Sequence, residues 1–332
     1  MKNALLVYEP VKGEGINIGD YIQSIAASQF LKEPYVYINR EHLNEYDGEK
    51  VKLIMNGWYM HRPENFPPSE NIAPLLVAFH INTLAKDKML SEKTIQWLKL
   101  HEPIGCRDHY TEQLLKGKGV NAYFSGCLTL TLGETYKRDN LSGNIYFVDP
   151  VVYSGRRDLL YIVKVFLFSL FHFKCIFTIC KKKYKYFSLE NIYRSAAFIL
   201  QYSKIFSKDV LLSAEYIQQQ YKGNKSENFY FAEADKLLRK YVNAKLVVTS
   251  RIHCALPCTG FETPVLYIHE KNSSEVSTCR LDGILELFNV IYTNKGNFEN
   301  SQNIDVCNPV IKHSYIALKT NLISRCKKFM EP

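Results

Sequence analysis

The sequence predicts an α/β protein made of two Rossmann-like halves with a ligand cleft between them. Three observations carry that expectation. Short apolar runs alternate with helical patterns across residues 1–133, the mark of a mainly parallel sheet. A polar, turn-rich stretch, "GETYKRDNLSG" (133–143), interrupts the alternation. A second series then starts at "NIYFVDP" (144–150). With 332 residues the chain is long for one core and comfortable for two. The expected domains are 1–135 and 143–306, with a closing helix over 308–330 that packs back on the first. A helical, aromatic and basic insertion falls at about 155–210.

Residues 2–8 form the first apolar strand, and "KGEGINIGD" leads from it into the helix "YIQSIAASQFL". Strand, glycine loop and helix open a Rossmann-like unit. "VKLIMNGW" (51–58) is a second strand, stopped by Asn56-Gly57, and "APLLVAFHI" (73–81) a third. "SEKTIQWLKLH" starts a helix at the cap Ser91, with Thr94 where a capping box has Glu. "PIGCRD" is a short strand and loop before the helix "HYTEQLLKGKG", and "NAYFSGCLTLTL" is the next strand. In the second half "ENFYFAEADKLLRKYVNA" is helical, and "KLVVTS" and "TPVLYI" are strands. "VCNPVIKHSYIALKTNLISRCKKFM" closes the chain as a terminal helix. Two such halves and a final helix make the expected architecture GT-B-like.

Hydrophobic content of 46% with 23% charged residues is that of a globular chain rather than a disordered one. The formal charge of +9 favours anionic partners. Its lysines and arginines are scattered, with one tight run at Lys181-Lys182-Lys183, which points to a small anionic substrate and away from nucleic acid. The nine cysteines are odd in number and sit mostly in apolar segments, as free thiols of a reducing cytosol do. The expected location is therefore cytoplasmic, extending to the inner face of the cell membrane. Cys254 and Cys258 lie four apart without a second pair at zinc-ligand spacing, so no metal is predicted. The opening "MKNALLVYEP" is too short an apolar run for a secretory signal. Residues 159–187 imitate a membrane span, but Lys164, His172 and Lys174 interrupt the ~20 apolar residues a span requires. They read as a helix and following strand buried in the second half. The alternative is a monotopic patch, aromatic on one side and basic at its end, resting on anionic lipid.

Gly13, Gly15 and Gly19 are spaced one residue too widely for a dinucleotide fingerprint, and no acid follows at a suitable strand end, so no nicotinamide cofactor is predicted. The loop offers instead backbone N–H groups at a helix start, beside Asn17 and Asp20. Asp20 is either a helix cap or a group that orients or deprotonates a hydroxyl. In "GCRDHYTEQLL" Asp108 is the natural N-cap. Arg107 has the fork for a carboxylate or phosphate, or else pairs with Asp108 or Asp20. The strongest pair lies in "AKLVVTSRIHCALPCTGFETPVLYI", where an apolar strand ends and Arg251 and His253 follow at once. Alternation along an extended strand end puts both on one side of the chain. Arginine holds an anion, and histidine gives or takes a proton near neutral pH. Ser250 and a helix N-terminus flank them, completing an anion site that also handles protons.

Five segments, "NIGDYIQSIAA", "IMNGWYM", "PIGCRDHYTEQLL", "FSGCLTLTL" and above all the Ser-Arg-Ile-His segment, resemble the polysaccharide pyruvyl transferases. They lie in order over most of residues 14–270. The resemblance implies a GT-B-like fold and transfer of the enolpyruvyl carbons of phosphoenolpyruvate to two hydroxyls of a sugar. The product is a pyruvate ketal on a bacterial-type surface polysaccharide (capsule or exopolysaccharide) or its lipid-linked precursor, and phosphate is released. It implies no cofactor or metal beyond the phosphoenolpyruvate donor. It assigns Arg251, with Ser250, to the donor, and His253 to proton transfer or phosphate departure. Arg107 becomes a second clamp, with Arg156 or Arg157 as the alternative, and Asp20, beside Asn17, activates an acceptor hydroxyl. His80 in "AFHI" also resembles a family position. The insertion at 155–210 has no counterpart there and reads as a determinant of acceptor choice or membrane contact. Two rival readings remain open at this stage. One is a nucleotide-sugar-dependent GT-B glycosyltransferase; the other is a non-catalytic peripheral membrane protein that docks through 159–187.

Overall fold

The computed structural model describes residues 1–10, 15–139, 143–184 and 186–331. In chain order the strands are β1 (Lys2–Val7), β2 (Ile16–Asn17), β3 (Tyr35–Asn39), β4 (Val51–Tyr59), β5 (Ile72–Ile81), β6 (Ile104–Cys106), β7 (Ala122–Phe124) and β8 (Ile145–Val148). Then come β9 (Glu215–Ile217), β10 (Gln220–Tyr221), β11 (Leu246–Thr249), β12 (Val265–Glu270), β13 (Asn289–Asn294) and β14 (Asn297–Glu299). The helices are α1 (Ile18–Ser28), α2 (Lys86–Met89), α3 (Glu92–Lys99), α4 (His109–Lys116), α5 (Leu159–Lys183) and α6 (Leu189–Tyr202). They continue with α7 (Lys208–Ser213), α8 (Glu227–Val242), α9 (Ile252–Gly260), α10 (Glu275–Thr278) and α11 (Ile316–Met330).

Two six-stranded sheets organise the chain, ordered β3-β1-β4-β5-β6-β7 and β14-β13-β12-β11-β8-β9. The first is parallel throughout, and the second is parallel except for the β13–β14 hairpin. Near-continuous apolar strands such as β1 and β4 are what a sheet covered on both faces selects. This is a mixed, Rossmann-like α/β fold. In the second sheet, alternation sends Phe147, Leu246, Val248, Leu266 and Ile291 into a core shared with α5 and α6. Val148, Val247, Val265 and Tyr267 face the other way, into a core continuous with that of the first sheet.

Several contacts bind the second half to the first, among them the packing of α1 against α8 and two close backbone approaches. A short antiparallel ribbon pairs β2 with β10, and Ile18 N donates to Gln219 O at 2.8 Å. Gly15, at φ +83°, ends that ribbon where a Cβ would stand 2.3 Å from Tyr221 O. The second approach is α9 against the 3-10 helix Leu128–Glu134, where a Cβ on Gly260 would lie 2.4 Å from Leu130 O. Helix α11 returns to the first sheet, burying Leu322 and Cys326, and Lys52 Nζ donates to Phe329 O at 2.9 Å.

Several expectations need correction. Asn56-Gly57 does not stop β4. The strand continues to Tyr59 through an irregular register at Met55/Gly57, and Asn56 Nδ2 is satisfied inside the core by Gln23 O at 2.9 Å. Only Ala122–Phe124 of the run at 121–132 is strand, because the chain turns at Gly126 (φ +68°) and winds as 3-10 helix from Leu128. The closing helix starts at Ile316 rather than 308, since Pro309 and the residues around it do not wind. Strand β3 carries no apolar alternation strong enough to announce it, and it is partly exposed at the sheet edge. The insertion is helical, but 159–187 is not buried and no strand follows it; one face of α5 is in solvent.

Candidate functional site

The strands of both sheets end at one pocket of about 490 Å³. The first half contributes Tyr8 after β1, Asn17 and Asp20 at the start of α1, Arg40 after β3, Trp58 on β4, Asn82 after β5 and Arg107 after β6. The second contributes Gln220, Arg251 and His253 after β11, and Arg280. A pocket beyond the carboxyl ends of parallel strands is where such sheets bind ligands.

Arg251 is the N-cap of α9 and His253 its second residue, so the two are brought together by a helix start and not by strand alternation. Arg251 N donates to Thr249 Oγ1 at 2.9 Å, and its Nε donates to Asp149 Oδ2 at 3.1 Å. Its side chain is 39% exposed and open to the pocket. His253 is buried, and its Nε2 has no hydrogen-bond partner. Burial pushes its pKa well below the ordinary imidazole value, and the charges of Arg107, Arg280, His80 and Arg251 push the same way. Both influences favour the neutral imidazole.

Asn17 caps α1, accepting from Gly19 N at 3.1 Å, which leaves Asp20 free of that duty. A Cβ at Gly19 would sit 3.1 Å from His253 Cβ, a close approach, so the two helix starts meet at that residue. Asp20 Oδ1 accepts from Gln23 Nε2 at 3.1 Å, and Arg40 Nη1 stands 4.0 Å from Oδ2. Burial raises the Asp20 pKa, against the lowering influence of Arg40, Arg107, His61 and Arg280.

Arg107 is 1% exposed, and its Nε and Nη1 lack hydrogen-bond partners. The nearest carboxylate is Asp108 Oδ2, 3.7 Å from Nε. Asp108 is engaged elsewhere: it caps α4, accepting from Thr111 N at 2.9 Å and Thr111 Oγ1 at 2.7 Å, and His80 Nδ1 lies 2.6 Å from its Oδ2. Burial, with help from Arg107, brings His80 down to about 4. It supports Asp108 from beneath and does not line the pocket.

Besides His80, the predicted residues Ser250 and Arg156 also lie off the pocket wall. Ser250 Oγ accepts from Val151 N at 2.8 Å and so ties β11 to the strand end beside it. Arg156 is ion-paired with Glu190 and lines a different cavity, about 470 Å³, with Lys183, Tyr184, Tyr193, Arg194 and Tyr216. It is thus not available to replace Arg107. The glycine loop is described only from Gly15 onward; Gly13 lies outside the described residues.

Sequence reasoning missed Arg40 and Arg280. Arg40 is clamped between the rings of Tyr8 and Trp58, each centroid 4.9 Å from its guanidinium carbon, and its Nε donates to Glu41 Oε1 at 2.8 Å. Its signal was position, immediately after a strand that itself went unread. Arg280 has a buried Nε with no partner. Among the described residues, four guanidinium groups thus face one cavity whose acids are Glu9 and Asp20, and Glu9 already pairs with Arg62 at 3.1 Å. Among the described residues, buried N–H groups on Arg40, Arg107 and Arg280 and the Nε2 atom of His253 have no hydrogen-bond partner, and the guanidinium donors suit a charged acceptor.

Comparison with curated proteins finds none that matches. The sequence profile of the polysaccharide pyruvyl transferases matches residues 17–272, well over half of the chain. The match opens on Asn17 and takes in Asp20, Arg40, Arg107, Arg251 and His253, leaving Arg280 beyond its end. The chain belongs to the polysaccharide pyruvyl transferase family, transferases that place pyruvyl groups on polysaccharide.

Proposed function

We propose that this enzyme takes phosphoenolpyruvate as donor and forms a pyruvate ketal on two hydroxyls of a surface-polysaccharide sugar. The observation that carries the reading is the set of unpartnered cationic N–H groups in the pocket. Phosphoenolpyruvate bears a carboxylate and a phosphate on neighbouring atoms, so it presents several acceptor oxygens to Arg107, Arg251 and Arg280 at once. On this reading the two sheets are cores of two domains, 1–135 and 143–306, arranged as in GT-B enzymes, and the pocket is their cleft. The nine free cysteines suit a cytoplasmic reaction.

The reaction balances without a cofactor. A proton adds to the methylene carbon, and the adjacent carbon becomes cationic. The first sugar hydroxyl attacks it, the C–O bond to phosphate breaks, and the second hydroxyl closes the ring. Of the two hydroxyl protons, one replaces that given to the methyl group and one leaves on phosphate. His253 suits proton delivery, to the carbon or to the departing phosphate, because the donor's negative charge reverses the influence that keeps the ring neutral. Asp20, with its raised pKa, suits removal of a hydroxyl proton.

The test is phosphate release from phosphoenolpyruvate over a panel of simple and lipid-linked glycosides, with His253→Ala as control. Acceptor-dependent release that His253→Ala abolishes supports the reading. Thermal stabilisation by uridine or guanosine diphosphate and none by phosphoenolpyruvate would overturn it in favour of a nucleotide-sugar glycosyltransferase.

A further inference from the structure

We infer that the outer face of α5 seats this enzyme on an anionic lipid bilayer, independently of what the pocket binds. Of the eighteen large hydrophobic residues exposed among the described residues, twelve fall between Leu159 and Leu189. On α5 itself Leu160 is 83% exposed, Phe166 63% and Phe171 81%, with Leu167, Leu170 and Phe173 between and beside them. A patch of this size on a globular protein marks an interaction surface. The helix is firmly placed, because its opposite face buries Val165, Ile176 and Ile179 in the second core against α6. Its axis bends at His172, whose Nδ1 donates to Phe168 O at 3.0 Å.

Three occupants compete for such a face: a bilayer crossed, a bilayer surface, or a second copy of the chain. The helix is long and apolar enough to span, but a span would strip its inner stripe from the core. Charge separates the remaining two. Residues 156–185 carry Arg156, Arg157 and six lysines against one acid, Asp158. Lys164, Lys174 and Lys181 are exposed on the helix that bears the aromatic face. Two such faces brought together repel, whereas an anionic membrane attracts both the charges and the rings.

The experiment is flotation of the full-length protein with vesicles of phosphatidylcholine alone and with added phosphatidylglycerol. Binding is expected to the anionic vesicles, weakening as salt is raised, and little is expected to neutral ones. Lys164→Glu and Lys174→Glu should each lower partition by at least roughly five-fold, the effect of about one lost surface lysine. Leu170→Glu with Phe171→Glu should abolish it with an unchanged melting temperature. Failure of the natural protein to bind anionic vesicles overturns the proposal, as does equal binding by all variants. A dimer in solution that Leu170→Glu with Phe171→Glu dissociates, without lipid binding, assigns the face to a second copy instead.

Discussion

Arg251 Nε donates to Asp149 Oδ2 at 3.1 Å, across the ends of two neighbouring strands. Asp149 Oδ2 also accepts from Gln219 N at 3.0 Å, and its backbone holds φ +41°. The carboxylate thus fixes the rear of the guanidinium and leaves the remaining N–H groups to the pocket.

Arg251→Lys keeps the charge and loses the fork. Donor affinity should fall by about 2 kcal/mol, roughly thirty-fold, with little change in melting temperature. Calorimetric titration with phosphoenolpyruvate checks it. An unchanged titration removes Arg251 from the donor clamp.

Donor binding should take up protons through His253. Burial and four cationic or imidazole neighbours hold the pKa of the ring well down and favour its neutral form. A polyanionic donor raises that pKa, so the complex binds a proton the free enzyme lacks, and affinity declines as pH rises from the depressed pKa of the free ring to the raised pKa of the complex. Titration at neutral pH in buffers of different ionisation enthalpy measures the uptake. His253→Gln should lose it; equal uptake in the variant assigns the proton to another group.

Arg107→Met should weaken donor binding severely yet leave the fold as stable as before, or more so. The guanidinium is 1% exposed with two unpartnered nitrogens, so removing it relieves a buried cation, and Asp108 retains Thr111 and His80. Arg107 is also the leading charge that depresses His253, so the ring should titrate higher in the variant. Proton-detected titration of the histidines reads both claims; a His253 shift absent or downward refutes the coupling.

Gly260→Ala should destabilise by about 2–3 kcal/mol, because the new methyl meets backbone that cannot swing aside. Chemical denaturation measures it. A loss below about 0.5 kcal/mol would mean that α9 shifts freely against Leu130.

What the sequence revealed and what it hid follow from different physics. Strands β1, β5, β11 and β12 were readable because burial on both faces demands unbroken apolar runs. The edge strand β3 escaped notice because one side of it stays wet, and Arg40, which it carries to the pocket, was missed with it. Arg251 and His253 were legible as a pair because polar groups directly after an apolar strand are conspicuous. Their proximity comes from a helix start and not from the alternation of an extended strand. Arg280 lies in a stretch of small polar residues, and only the closure of the chain shows its Nε buried. The exposure of α5 was legible only as the alternative to burial, for a related reason: composition records how apolar a helix is but not which neighbours remain to cover it.

The ribbon between β2 and β10 ties the start of α1, and with it Asn17 and Asp20, to the half of the chain that carries Arg251. Any hinge between the sheets must drag that segment along or snap its backbone bonds first. On the proposed function, admission of the donor and readiness of the carboxylate would be mechanically yoked, and a looser yoke, by lengthening the turn around Gly223, should uncouple them.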